Sequence, residues 1–293
     1  MICCNLDSSF TPKLFSMRKT SLISLFLFLS QIYLSAQERQ LIKLWETDST
    51  LKVPESVLFD ASNKVLYVSN IDGKQPWEKD GQGSVGKVSI DGKIIAVDWV
   101  NGLNAPKGMG LYKNLLYVAD VDEIAVIDVR KGALTKKITV EGAMALNDIT
   151  IDKNGVLYVS DSRGKKIFRV EDDKPQLFLE NLQGPNGVLV DGDDLYVLDA
   201  GGLYKVGKDK SLSMIANGME GGADGIENVK GKEYIISCWI GIIWFVDEKG
   251  NKQKLLDTSE QKINSADIGY DSKNRVVYVP TFWKNSIVAY ELK

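Results

Sequence analysis

One apolar phrase closed by a small or polar residue returns six times along the chain. It reads VLYVSN at 65–70, LLYVAD at 115–120, VLYVSD at 156–161, DLYVLD at 194–199, EYIISC at 233–238 and VVYVPT at 276–281. The tyrosines in register are Tyr67, Tyr117, Tyr158, Tyr196, Tyr234 and Tyr278, spaced 50, 41, 38, 38 and 44 residues apart. A period of this size marks a repeat architecture, in which no unit buries its apolar face alone and each stacks on its neighbours. The units read as strands. In the third, ITID, VLYVSD, KIFRV and PQLFLE are short β-rich runs broken by Lys-Asn-Gly, Ser-Arg-Gly and Asp-Asp. Asn-Gly or Asp-Gly pairs at 154–155, 72–73 and 91–92 are hairpin signals. No segment carries a sustained helical period with caps. Four strands in each of six units predict an all-β fold, a six-bladed β-propeller with four-stranded antiparallel blades.

The ring has to close. The last unit supplies three strands (SADIGYD, RVVYVPTF and SIVAYEL) and then the chain ends. Residues 41–47, LIKLWET, are a strand without a place at the other end. They are expected to form the outer strand of the last blade, because an unpaired edge invites association.

The propeller is assigned to residues 37–293. Residues 1–36 read as an N-terminal extension and secretory signal peptide. Arg18 and Lys19 precede the apolar run TSLISLFLFLSQIYL, which ends at Leu34-Ser35-Ala36. The apolar run is short for a membrane span. A secreted or periplasmic location is expected, with no stable span after cleavage. Met17 directly precedes Arg18, so either Met1 or Met17 is the start. The mature chain then keeps one cysteine, Cys238, in an apolar strand, expected to be an inert core thiol. It carries 33 basic and 38 acidic residues, which argues against a nucleic-acid partner.

The chain has no histidine. This excludes Ser-His-Asp and Cys-His nucleophiles, histidine-bound zinc and imidazole proton shuttles. The chemistry left rests on carboxylates, amides, Lys, Tyr, hydroxyls or an oxygen-bound metal. Residues just before each inner strand converge on the propeller axis. Glu55, Asn147, Asn186 and Asp224 stand 12, 11, 10 and 10 residues before their tyrosines. Two carboxylates and two amides on one axis suit a hard divalent cation such as Ca²⁺. The same Asn-Gly and Asp-Gly pairs also suit ordinary turns.

The segments PESVLFD, LNDITID, GPNGVLVD and ADGIE resemble the metal-site segments of the senescence-marker-protein/gluconolactonase family (SMP-30/Gluconolactonase/LRE-like). The resemblance implies a six-bladed propeller with one axial divalent cation, usually Ca²⁺, held by Glu55, Asn147, Asn186 and Asp224. It implies hydrolysis of a lactone or related ester, the metal polarising the carbonyl and Asp224 acting as both ligand and base. Sugar lactonases of the family often place Arg two residues before the first Asn ligand; this chain has Ala145 there, which leaves the substrate open.

Other rim residues have candidate roles. Asp120, Asp161 and Asp199 end second strands that return to the mouth; Asp161 and Asp199 are reserve bases, or acceptors for turn amides. Asp148 is placed beside the cation or inside the channel, and Lys107 at the mouth of the second blade. The first blade carries a polar insertion, residues 70–84, with Trp77; loops of this length often act as lids. Trp239 and Trp283 follow second strands and either line a substrate pocket or pack between blades. The expected function is a divalent-cation-dependent hydrolase of a lactone or ester acting on a small molecule. The alternative is a non-catalytic propeller that binds a small molecule, sugar or peptide at the same mouth.

Overall fold

A computed structural model describes residues 38–293 apart from Lys74 and Glu220. The signal-peptide reading and the choice of start lie outside the described residues. Among the described residues no helix is long and apolar enough to cross a membrane.

The chain forms a six-bladed β-propeller of four-stranded antiparallel sheets. Blade 1 runs β2 (Pro54–Asp60), β3 (Val65–Asn70), β4 (Gly83–Ser89) and β5 (Ile94–Leu103). Blade 2 has β6 (Pro106–Tyr112), β7 (Leu115–Asp120), β8 (Glu123–Asp128) and β9 (Ala133–Thr139). Blade 3 has β10 (Leu146–Ile151), β11 (Leu157–Asp161), β12 (Lys166–Glu171) and β13 (Lys174–Leu179). Blade 4 has β14 (Pro185–Asp191), β15 (Asp194–Asp199), β16 (Gly202–Val206) and β17 (Leu212–Ala216). Blade 5 has β18 (Ala223–Lys230), β19 (Glu233–Cys238), β20 (Ile242–Val246) and β21 (Lys252–Asp257). Blade 6 is β22 (Gly269–Asp271), β23 (Val276–Pro280) and β24 (Ile287–Leu292), completed by β1 (Leu41–Glu46).

The expected closure is present. β1 pairs antiparallel with β24 from Leu41↔Leu292 to Glu46↔Val288, with a bulge at Lys43/Trp45. Past the ladder, Thr47 N–H donates to the Ile287 carbonyl and Ile287 N–H donates to Thr47 Oγ1, both at 3.0 Å. Glu46 accepts from Ser286 Oγ and lies 2.8 Å from Lys284 Nζ. The outer edge of the last blade is therefore covered by backbone and by charge.

The repeated tyrosines do one job: they fill the seams between and within blades. Tyr67 stacks on Trp99 with centroids 5.2 Å apart, Tyr196 meets Tyr234 at 5.1 Å, and Tyr278 meets both Trp45 and Phe59 at 5.9 Å. Five of the six are buried and Tyr158 is half-buried, so the repeated phrase marks where each blade packs. Cys238 is buried at 0 % exposure, and burial pushes its thiol up to about 12, as expected of an inert core thiol.

Two expectations differ in detail. The inner strand of blade 6 is a ladder over Gly269–Asp271 alone, because Asp267 instead bridges to Ser56 in parallel, with Asp267 N–H donating to the Glu55 carbonyl at 2.9 Å. The pairs at 91–92 and 154–155 do turn hairpins, with Gly92 and Gly155 both at φ 89°, whereas Asp72-Gly73 opens the blade-1 insertion.

Candidate functional site

Five of the six inner strands begin with an irregularity. The register shifts between Pro54 and Ser56, Pro106 and Met109, Leu146 and Ile149, Pro185 and Val188, and Ala223 and Ile226. Glu55, Lys107, Asn147, Asn186 and Asp224 all fall inside these bulges. A bulge leaves a residue unpaired and re-aims its side chain, so one device repeated in five blades presents five polar side chains at equivalent places. Serines of the repeated phrase satisfy some of the freed amides: Ser69 Oγ accepts from Ser56 N–H, Ser160 Oγ from Asp148 N–H, and Ser237 Oγ from Gly225 N–H, each at 2.9 Å.

The glycines that follow ring residues are explained by proximity, and the turn reading gives way. Gly108, Gly187 and Gly225 lie inside strands without positive φ. A Cβ at Gly108 would collide with Asp148, one at Gly187 with the Asp224 carbonyl oxygen, and one at Gly225 with Asp267. Inner strands approach so closely at the axis that only hydrogen fits there.

The four predicted ligands are buried or half-buried. Glu55 is 4 % exposed, Asp224 3 % and Asn147 7 %. Asn186 Nδ2 donates to Asp224 Oδ1 at 2.9 Å, and Asn147 Nδ2 donates to Ser162 Oγ at 3.0 Å. Ser162 in turn donates to the Pro185 carbonyl at 2.6 Å. Both amide nitrogens are thus occupied within the protein. Asn186 Oδ1 and Glu55 Oε2 are buried with no hydrogen-bond partner among the described residues. Burial pushes the Glu55 carboxyl up to about 7; Lys107 draws it back and Asp148 pushes it further up. Burial, then Glu55 and Asp148, hold Asp224 well above the usual carboxylate range. A buried carboxylate oxygen without a donor is costly, and a hard cation relieves that cost with oxygen ligands. Among the described residues no three carboxylate or cysteine side chains are placed to hold a metal, so a cation here would depend on the amide oxygens as well as on Glu55 and Asp224.

Two cavities lie near this ring. One of about 440 Å³ opens beside Asn147, Ser162, Asn186 and Met219, with the backbone of Gly221 and Gly222 as a wall. The other, about 190 Å³, is the channel along the inner strands and is lined by Asp148, Glu227 and Asp267. Asp148 therefore belongs to the channel. Its Oδ2 accepts from Val188 N–H of the next blade at 2.8 Å and its Oδ1 from Ile149 N–H at 2.7 Å. Burial raises it to about 6 against those two hydrogen bonds.

The reserve bases are committed elsewhere. Asp161 accepts from the backbone N–H of Met144, Ala145 and Gly164, and Asp199 from Gln183 and Gly184. Asp120 does the same for Asn104 and Ala105. The three aspartates clamp the loop that leads into the bulge of their own blade, which favours the turn-acceptor reading.

Among the aromatics, Trp77 reaches the ring: Lys107 Nζ lies 4.5 Å from its centroid and Arg163 Cζ 5.2 Å. Trp239 and Trp283 are 42 % and 49 % exposed and pack edge-on against buried Phe282 at 5.7 and 4.8 Å. Trp239 also adjoins Gly222 in the cavity wall. Sequence reasoning missed Ser162 and Arg163, because neither falls on a repeat position.

The SMP-30/Gluconolactonase/LRE-like region model matches residues 53–226, more than half of the chain, and spans every ring residue from Glu55 to Asp224. The chain belongs to this family. No curated protein matches the sequence. Solved structures share the fold at low identity. A candidate gluconolactonase aligns with TM-score 0.67 at 14 % identity, covering 87 % of this chain and 92 % of that one. A catalytically inactive histidine-to-alanine variant of virginiamycin B lyase from Staphylococcus aureus, with quinupristin, aligns with TM-score 0.60 at 13 % identity over 87 % and 99 %. A chain of a nidogen/laminin complex aligns with TM-score 0.61 at 19 % identity over 74 % and 84 %. This member of the SMP-30/gluconolactonase-like family thus shares its propeller fold with proteins of different function.

Proposed function

We propose that this protein is a divalent-cation-dependent hydrolase of a lactone or a related ester, with a calcium-like ion on Glu55, Asn147, Asn186 and Asp224. One observation carries the reading. Glu55 Oε2 and Asn186 Oδ1 are buried without a donor, while the neighbouring amide nitrogens are already bonded, so blades 1, 3, 4 and 5 present oxygen, with Lys107 of blade 2 beside them. When bound, a divalent cation supplies polarisation of the carbonyl and compensates negative charge developing on its oxygen.

The chain's own residues supply the rest. Asn147 and Asn186 are fixed by Ser162 and Asp224 and hold their oxygens at the edge of the larger cavity. Asp224 takes a proton from water as the water oxygen bonds to the carbonyl carbon. The ring C–O bond then breaks, and that proton passes to the departing oxygen, giving a hydroxy acid. The buried setting raises the proton affinity of Asp224, which favours a base, while a bound cation lowers it again.

The lyase related in fold loses its activity with a histidine, and this chain has none, which favours hydrolysis over a histidine-dependent elimination. Asp224→Asn should abolish turnover of a responsive lactone or aryl ester, with the folded circular-dichroism spectrum retained. Full activity in Asp224→Asn would refute its role as base. A protein that holds its cation and turns over no lactone, aryl ester or phosphotriester would instead be a binding propeller. Secretion or export, suggested by residues 1–36, is proposed with this function and is checked by N-terminal sequencing of the native protein.

A further inference from the structure

Lys107 and Arg163 form a cationic feature beside the oxygen donors of the ring. Lys107 occupies the bulge of blade 2, where blades 1, 3, 4 and 5 present oxygen donors. It is 2 % exposed, and its Nζ has no hydrogen-bond partner among the described residues. Arg163 follows Ser162, the residue that fixes Asn147 and lines the larger cavity. It is exposed, and no ion pair reaches it among the described residues. Both cationic groups lie against the Trp77 indole, at 4.5 and 5.2 Å from its centroid. The insertion that carries Trp77 is tied to blade 2 by Lys79, whose Nζ donates to Asp122 at 2.6 Å.

Two like charges on one indole repel, and the aromatic face offsets only part of this. Elsewhere the lysines around the rim meet carboxylates, as Lys137 does with Glu123 and Lys52 with Asp72. A guanidinium keeps its charge under all conditions and presents a planar fork that matches a carboxylate, and a buried ammonium gains most from the same partner. Glu55, Asp224 and Asp120 lie near enough to favour the Lys107 charge, but none of them bonds to its Nζ, and a cation on the ring would compete for Glu55 and Asp224.

We propose that the ligand of this mouth is an anion, a lactone or ester bearing a carboxylate, and that Arg163 and Lys107 receive that carboxylate beneath Trp77. The proposal rests on the hydrolase reading for the reactive group and adds the specificity-determining residues. The lactone end would lie toward Asn147 and Asn186, and the carboxylate toward blades 2 and 3. Neutral sugar lactones would fit poorly, since they leave both cations unanswered.

The test uses the full protein with added Ca²⁺ and two isosteric probes: 2-oxotetrahydrofuran-5-carboxylate and its primary carboxamide. Binding is read by calorimetry and turnover by proton release. The carboxylate should be favoured by about 10- to 100-fold, the scale of a charge-assisted contact, and the preference should weaken with added salt. Arg163→Met, an exposed position where folding is secure, should collapse the ratio toward one, and Arg163→Lys should restore part of it. Lys107→Met, if it folds, should do the same. Equal binding of the two probes, binding of neither, or a ratio unchanged in Arg163→Met would overturn the proposal. Carboxylate preference in binding without turnover would leave it standing and sink the hydrolase reading instead.

Discussion

Ser162 shows how little chain is needed to aim a ligand. Its hydroxyl accepts from Asn147 Nδ2 and donates to the Pro185 carbonyl, so it ties two blades together and leaves Asn147 Oδ1 as the outward atom. Partners of this kind commonly cost 10- to 100-fold in metal affinity when removed. Ser162→Ala should weaken Ca²⁺ binding by about 10-fold or more and should also cost the cation-free protein about 1–2 kcal/mol for the two lost hydrogen bonds. Glu55 supplies a pH test. Its carboxyl is raised to about 7, and a cation needs the ionised form. Protons therefore compete: affinity should fall as pH drops below about 7 and level off above it, whereas a ligand set of amides alone would show no such dependence. Glu227 tests the channel. Burial raises it to about 8, with Asp148 adding to the effect. An acid whose folded value lies above its unfolded one binds protons more tightly when folded, so stability declines as pH rises from about 4.5 to about 8. Glu227→Gln should flatten that decline, a gain of roughly 1–3 kcal/mol at pH 8 in cation-free denaturant titrations; a variant that follows the wild-type slope would refute it.

At the scale of the strand, the bulge is what turns a repeat into a site. The sequence spacing placed Glu55, Asn147, Asn186 and Asp224 at one level, because each precedes its tyrosine by 10–12 residues. It could not show that all four, with Lys107, interrupt their ladders, since a shift in the first residues of a strand of six to eight leaves too little alternation before it for the phase change to be read. The same blindness made Asn186-Gly187 and Asp224-Gly225 look like turns. Their glycines are set by backbone from the next blade, a contact between residues some 40 positions apart that local propensity does not encode. Gly187→Ala would drive a methyl into the Asp224 carbonyl. It should cost about 1–3 kcal/mol of stability and loosen cation binding as well, read by denaturant melts with and without Ca²⁺. Ser69, Ser160 and Ser237 were visible in the repeated phrase, but their task of holding bulge amides was not.

For the whole molecule, the fold was legible because every blade repeats the same burial problem, and Tyr67, Tyr196 and Tyr278 solve it in the same way. Ring closure was legible from arithmetic alone: one strand too few at the end and one too many at the start. Deleting residues 37–48 should leave β24 unpaired and abolish the single cooperative melt; an unchanged transition would contradict the part played by β1. The proposed anion subsite was not legible, since Arg163 lies outside the repeat and meets Trp77, 86 positions earlier, only in the fold. The central claim concerns the ring of oxygens, and it is tested most directly by calorimetric titration of Ca²⁺ into chelator-stripped protein and into Asn186→Ala. One site per chain is expected in the parent protein and its loss in Asn186→Ala, with both proteins folded. No binding to the parent, or equal binding to both, would contradict it.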